Sequence, residues 1–180
     1  GEAVMNGAQI AVDEINASDS AVKFEYNFQD DEGDAETAVN AYNILKDWGM
    51  QVLMGTVTTA PCLAVISETE ADNMFQITPS ASSTDVIVPD NVFQVCFTDP
   101  NQGVSAADYI ADNGLATKVA AIYDSSDAYS SGIYNAFAAE AEAKGLEIVC
   151  AEAFTADNKT DFRTQLQKAQ SAGADLVFLP

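Results

Sequence analysis

The chain has no histidine and one arginine, Arg163. Histidine is the commonest general base near neutral pH and the commonest metal ligand. Its absence removes Ser–His and Cys–His pairs and imidazole metal sites. One arginine leaves little for a bidentate grip on phosphate. Basic residues are scarce altogether: 7 Lys plus Arg face 28 Asp plus Glu, a net charge of −21. Such a field repels phosphate backbones and anionic lipid, which argues against nucleic-acid binding. The acids are scattered through amphipathic segments and read as solvated faces. The three cysteines, Cys62, Cys96 and Cys150, are far apart, without CxxC spacing, and in apolar contexts that suggest buried thiols. Nothing selects a disulfide pair among them. No apolar run approaches the roughly 20 residues of a membrane span. The GxGxxG, P-loop and GxSxG patterns are all missing, so no cofactor, metal or catalytic constellation is expected.

What is present is a packable α/β pattern, with 48% hydrophobic and 19% charged residues. Helical spacing covers 2–17, 35–48, 60–72, 102–113, 129–144 and 160–172. Short apolar or alternating runs at 22–28, 51–54, 73–78, 92–97, 117–123, 146–153 and 175–179 read as strands. Thr98-Asp-Pro-Asn101 reads as a chain break before the fourth helix. Strands alternating with helices imply βαβ units, parallel sheets and helices on both faces. Ligands of such folds bind beyond the carboxyl ends of strands.

Three turns meet that rule. Gly55-Thr-Val-Thr-Thr-Ala-Pro61 follows a strand and opens a helix. Thr58 or Thr59 suits the N-cap and Pro61 the first turn, where the free N–H groups and the dipole favour an anion. By itself the stretch reads more readily as a plain capped helix. Thr78-Pro-Ser-Ala-Ser-Ser83 is a second hydroxyl-rich turn, and Tyr123-Asp-Ser-Ser-Asp-Ala-Tyr-Ser-Ser131 is the third. Tyr129 by itself reads as a core residue. Asp30-Asp-Glu-Gly-Asp34 is the one tight acidic cluster. It lacks calcium-loop spacing and reads as an exposed turn rather than a cation site.

Taken in order, the motifs resemble those of the branched-chain amino-acid-binding proteins, the type I periplasmic solute receptors of ABC importers. The match runs through Asn6-Gly-Ala-Gln-Ile-Ala-Val-Asp-Glu-Ile-Asn16, Asp30-Asp31, Gly55-Thr-Val-Thr-Thr59 and Ile77-Thr-Pro-Ser-Ala-Ser82. It continues in Tyr123-Asp124, Tyr129-Ser-Ser-Gly132, Thr160-Asp-Phe-Arg-Thr-Gln-Leu166 and Ala174-Asp-Leu-Val-Phe178. The resemblance implies a two-lobed fold, with a first lobe at about 1–100 and part of a second at 101–180. It also implies an extracytoplasmic protein, periplasmic or anchored as a lipoprotein, that binds a small amino acid by hinge closure in the cleft between the lobes. The protein would then deliver the ligand to a membrane permease. Thr59 would bind the ligand carboxylate, Ser80 would offer its carbonyl to the ammonium, and Ser82 its hydroxyl and N–H. Ala81 lies between them, Val57 and Thr58 flank the side-chain pocket, and Tyr129 closes from the second lobe. A neutral ligand is expected, because the turns carry no base. The alternatives are a sensory domain of the same fold or a small α/β enzyme. The family's glycine after the closing tyrosine is Ser130 here. In the family a strand before the first helix lies between those read at 22–28 and 51–54. This chain opens inside the helix, which implies a piece of a longer protein that by itself binds weakly.

Overall fold

Asp34 accepts a hydrogen bond from the Thr37 N–H at 2.8 Å and so opens a helix over Ala35–Trp48. Gly49, at φ 102°, ends it in the left-handed conformation that only glycine adopts without strain. This helix, α2, follows α1 at Glu2–Ala17. The computed structural model describes residues 1–180 and divides into two units. One comprises Gly1–Ala81 with Asp85–Cys96, the other Ser82–Thr84 with Phe97–Pro180.

The first unit adds β1 (Val52–Met54), α3 (Thr59–Ala71), β2 (Phe75–Thr78), a 3₁₀ turn at Thr84–Ile87, and β3 (Val92–Gln94). The strands form a parallel sheet in the order β1-β2-β3. Ala38 and Tyr42 of α2 meet Leu53 and Val65 in one core, and Cys62, Ala81 and Val86 form another. α1 buries no residue fully; Val4, Ala8 and Val12 are half-buried.

Residues 22–28 are not a strand. Alternation specifies an extended amphipathic segment, but a strand needs neighbouring backbone to pair with. Here the Asn16 side-chain amide takes the Phe24 backbone at both ends, accepting from its N–H and donating to its carbonyl, each at 2.8 Å. β1 pairs with β2 alone. A groove of about 100 Å³ runs beside it, lined by Val4, Tyr26, Phe28, Leu53 and Val65 among others.

The second unit runs through α4 (Asp99–Asp112), β4 (Lys118–Asp124), α5 (Ala128–Lys144), β5 (Glu147–Phe154), a 3₁₀ turn at Ala156–Asn158, α6 (Arg163–Ser171) and β6 (Leu176–Phe178). Thr98-Asp-Pro-Asn101 does not break the chain; it starts α4. Thr98 is the N-cap, and Pro100 sits in the first turn, where its missing N–H costs nothing. The sheet is parallel in the order β5-β4-β6. The chain runs from β4 to β5 on one side and then crosses back to β6 on the other, so the strand order reverses at β4 and its carboxyl end is a topological switch point. Ala107, Ile110, Val119, Phe137 and Leu146 form the core, and the Phe137 and Phe178 rings stack at 3.9 Å. Of the cysteines only Cys62 is fully buried; Cys96 and Cys150 are half-exposed. No disulfide joins any two of them.

Candidate functional site

In the first unit the two hydroxyl-rich turns meet. Thr56–Thr58 follows β1 and 78–81 follows β2, and neighbouring parallel strands bring their carboxyl ends to one edge. The Ser80 hydroxyl donates to the Val57 carbonyl at 2.6 Å, and the Thr78 hydroxyl to the Thr56 carbonyl at 2.7 Å. Thr78 Oγ1 also accepts the Ala81 N–H at 2.9 Å. The structure therefore places Val57, Thr58, Thr59, Ser80 and Ala81 along the carboxyl edge of one sheet.

Of the two N-cap candidates, Thr58 and Thr59, Thr58 is the N-cap residue of α3, but its side chain makes no capping bond. The Thr56 hydroxyl donates to the Thr58 carbonyl at 3.1 Å instead. With no side chain supplying a cap, the first-turn N–H groups of Thr59 and Ala60 are left as donors, and the helix dipole adds partial positive charge. Thr59 is 3% exposed, and its Oγ1 is buried without a hydrogen-bond partner. An unpaired buried hydroxyl costs about 1–3 kcal/mol. No full charge stands among 55–61 or 78–83.

Gln76, which lies outside the motifs, and Thr78, which opens the second turn, hold this edge in place. Gln76 is fully buried. Its amide donates to the Gly55 carbonyl at 2.9 Å and accepts from the Thr69 hydroxyl at 2.8 Å. Thr78 does the same work for Thr56 and Ala81. The signal was legible: Gln76 and Thr78 lie two apart in Phe75-Gln-Ile-Thr78 and share one face of a short central strand. A polar pair on a buried face needs partners. Burial pushes the Cys62 thiol above its ordinary pKa, so it is a packing residue rather than a nucleophile.

In the second unit Ser82 is 3% exposed, and its carbonyl accepts the Asp99 N–H at 2.9 Å. Tyr129, 40% exposed, stands in the first turn of α5 just past the carboxyl end of β4. It is not a core residue. Its hydroxyl donates to Gln102 Oε1 at 3.2 Å. Asp127 caps α5 by accepting the Ser130 N–H at 3.1 Å. Ser130 is 3% exposed; its hydroxyl accepts from the Asp124 N–H and donates to the Pro180 carbonyl. The serine at this position is thus absorbed into the packing of the switch point.

In the first unit, donors at a helix start beside neutral hydroxyls make an arrangement that can hold a small polar ligand. It offers no nucleophile with a base beside it. The acidic turn makes local bonds only: Asp30 and Asp31 accept from the Glu32 and Gly33 N–H groups, and Asp34 caps α2.

A model of the periplasmic binding protein family matches residues 1–179. The Leu/Ile/Val-binding protein homolog 3 of Brucella melitensis is 32% identical over 99% of this chain and 49% of its own length. The Leu/Ile/Val-binding protein BraC3 of Rhizobium johnstonii is 31% identical over the same shares. The chain spans about half the length of the curated relatives it matches. Among solved structures, the leucine-binding protein LivK of Thermotoga maritima has a TM-score of 0.90 at 27% identity, over 99% of this chain and 51% of that one. The branched-chain amino acid transporter substrate-binding protein LivJ of Streptococcus pneumoniae, in complex with isoleucine, has a TM-score of 0.90 at 28% identity, over 100% and 52%. By fold and family match, the chain belongs to the periplasmic binding protein family.

Proposed function

We propose that this chain carries ligand-binding residues of an extracytoplasmic receptor that captures a small neutral amino acid for an ABC importer. The observation that carries this reading is Thr59. Its buried, unpartnered hydroxyl stands at the start of a helix of 13 residues whose first turn has no side-chain cap. A carboxylate there accepts from the first-turn N–H groups and from Thr59 Oγ1, and so meets donors without any full positive charge. The Ser80 carbonyl and the Ser82 hydroxyl serve the ammonium. Val57, Thr58 and Ala81 flank the ligand side chain, and Tyr129 covers it. The relatives named for Leu, Ile and Val support an aliphatic side chain, and their role in transport supports delivery to a permease.

The test is Thr59→Val, made in the longest form of the protein its gene encodes. The change keeps the shape and removes the hydroxyl. Leucine, isoleucine and valine binding by calorimetry is expected to weaken by about 1–3 kcal/mol, the cost of leaving a charged or buried partner unpaired. Unchanged affinity would sink the assignment of Thr59 to the carboxylate.

A further inference from the structure

Ser82 and Tyr129 stand far apart in the sequence, yet one hydrogen-bonded chain joins them. Its centre is Asp99, the first residue of α4 and the only carboxylate that is buried, at 2% exposure. The Asp99 N–H donates to the Ser82 carbonyl at 2.9 Å; burial raises the pKa of the Asp99 carboxyl, and the Ser82 hydroxyl lies close enough to it to pull the pKa back down. Gln102, one turn along α4, donates from Nε2 to Asp99 Oδ1 at 3.4 Å. Its other amide atom, Oε1, accepts from the Tyr129 hydroxyl at 3.2 Å. Gly132 makes room: a Cβ built there would meet Asp99 Cβ and Oδ2 at 3.4 Å.

The direction of every proton in this chain follows from one fact. An ionised carboxylate only accepts. The Ser82 hydroxyl must therefore point its proton at Asp99, and its lone pairs face away. Gln102 must turn its NH₂ toward Asp99, so its carbonyl faces Tyr129. Tyr129 then spends its own proton on Gln102 and also keeps its lone pairs free. Without the carboxylate each of these groups could turn either way.

On the reading of Ser82 and Tyr129 as ligand-binding residues, we propose that Asp99 and Gln102 are positioning residues that hold both hydroxyls as acceptors for the ammonium of an amino-acid ligand. The chemistry fits a donor ligand and disfavours an anion at this end. A purely structural alternative is that Asp99 merely complements the dipole of α4. That role would not depend on Ser82.

The experiment is a double-mutant cycle in the longest form of the protein, read by calorimetry with leucine. The four proteins are wild type, Asp99→Asn, Ser82→Ala and the double variant. Asn in place of Asp presents an N–H at one of its two ends and so cannot accept from both partners. Asp99→Asn is expected to weaken leucine binding about ten- to a hundredfold, the range for a lost charge-assisted bond. In the Ser82→Ala background the same change is expected to cost several-fold less, because one of the two hydroxyls through which it acts is gone and only the leg through Gln102 to Tyr129 remains. Equal losses in both backgrounds, or no loss in either, overturn the proposal. Should Asp99→Asn fail to fold, Gln102→Met and Tyr129→Phe form the second cycle on half-exposed positions. There the double variant is expected to be no weaker than the worse single one, and additive losses overturn the proposal. A wild-type protein that binds no amino acid overturns the proposed function and this inference together. A wild type that binds leucine beside an unaffected Asp99→Asn overturns this inference alone.

Discussion

Gln76 shows how much a single buried amide can organise. It is completely inaccessible, and both of its amide atoms are used, one on Gly55 and one on Thr69. Replacing it by Leu keeps much of the volume but strands the Gly55 carbonyl and the Thr69 hydroxyl. Each stranded group costs about 1–3 kcal/mol. Gln76→Leu is therefore expected to lower the denaturant midpoint of unfolding clearly. It is also expected to weaken amino-acid binding, because Gly55 begins the turn that leads to Thr59. A variant with wild-type stability would show that water or a shifted turn repairs the loss. The hydroxyls of Thr56, Thr78 and Ser80 were visible in the sequence as a polar cluster. Their mutual hydrogen bonds were not, since these depend on the pairing of β1 with β2.

At the scale of elements, the approach of α4 to α5 depends on a glycine. A Cβ built at Gly103 would lie 2.6 Å from the Phe137 nitrogen and closer still to the Ile133 carbonyl oxygen. Both are backbone atoms that cannot swing aside. Gly103→Ala is expected to destabilise by about 1–3 kcal/mol or more, the range for overpacking a filled core. Gly132→Ala meets only the Asp99 side chain, at 3.4 Å, and is expected to cost less. Thermal unfolding of the two variants side by side checks the order. Helix periodicity places α4 and α5 in the sequence but does not fix their rotation: the neighbours Tyr109 and Ile110 are both apolar enough for the core, yet Tyr109 is 63% exposed and Ile110 is buried. The apolar stripe gives a rough direction, and the close glycine contact sets the actual rotation. The same limit explains residues 22–28, where alternation was real and pairing absent.

For the whole molecule the governing quantity is charge. With 28 acids against 7 bases, repulsion outweighs the few exposed ion pairs, such as Lys144–Asp108 and Lys168–Glu152. Salt screens both, and the imbalance decides the sign. Raising sodium chloride from low to about half molar at pH 7 is expected to raise Tm; a fall would mean that the ion pairs dominate. Acid acts differently. Hydrogen bonds from backbone N–H groups hold the carboxyls of Asp34 and Asp175 below the ordinary range, and a lysine and a tyrosine do so for Asp72. These groups add stability above the unfolded carboxyl pKa and lose it as pH falls through their lowered folded values. Asp99 has the opposite sign, because burial raises it: its contribution favours folding below the unfolded value and is lost as pH rises through the folded one. Lowered groups outnumber it, so Tm is expected to fall below about pH 4. The same field bears on ligand choice. With no base in the turns at 55–61 and 78–83, neutral amino acids are expected to bind far more tightly than aspartate or glutamate in a competition assay. Tight glutamate binding would refute this.

The sequence by itself determined the fold class, the order of most elements and the two hydroxyl-rich turns. Periodicity, caps and strand-end turns are local signals, written within a few residues of where they act. The family order of motifs added the candidate ligand contacts. Only the tertiary structure decided which groups touch. It gave residues 22–28 no ladder, left Thr58 without a capping bond, and buried Gln76, Ser130 and Asp99 with partners up to 50 residues away. Those outcomes depend on strand neighbours and helix rotations brought together by the chain's long-range packing. No local pattern records which acceptor a buried donor will meet.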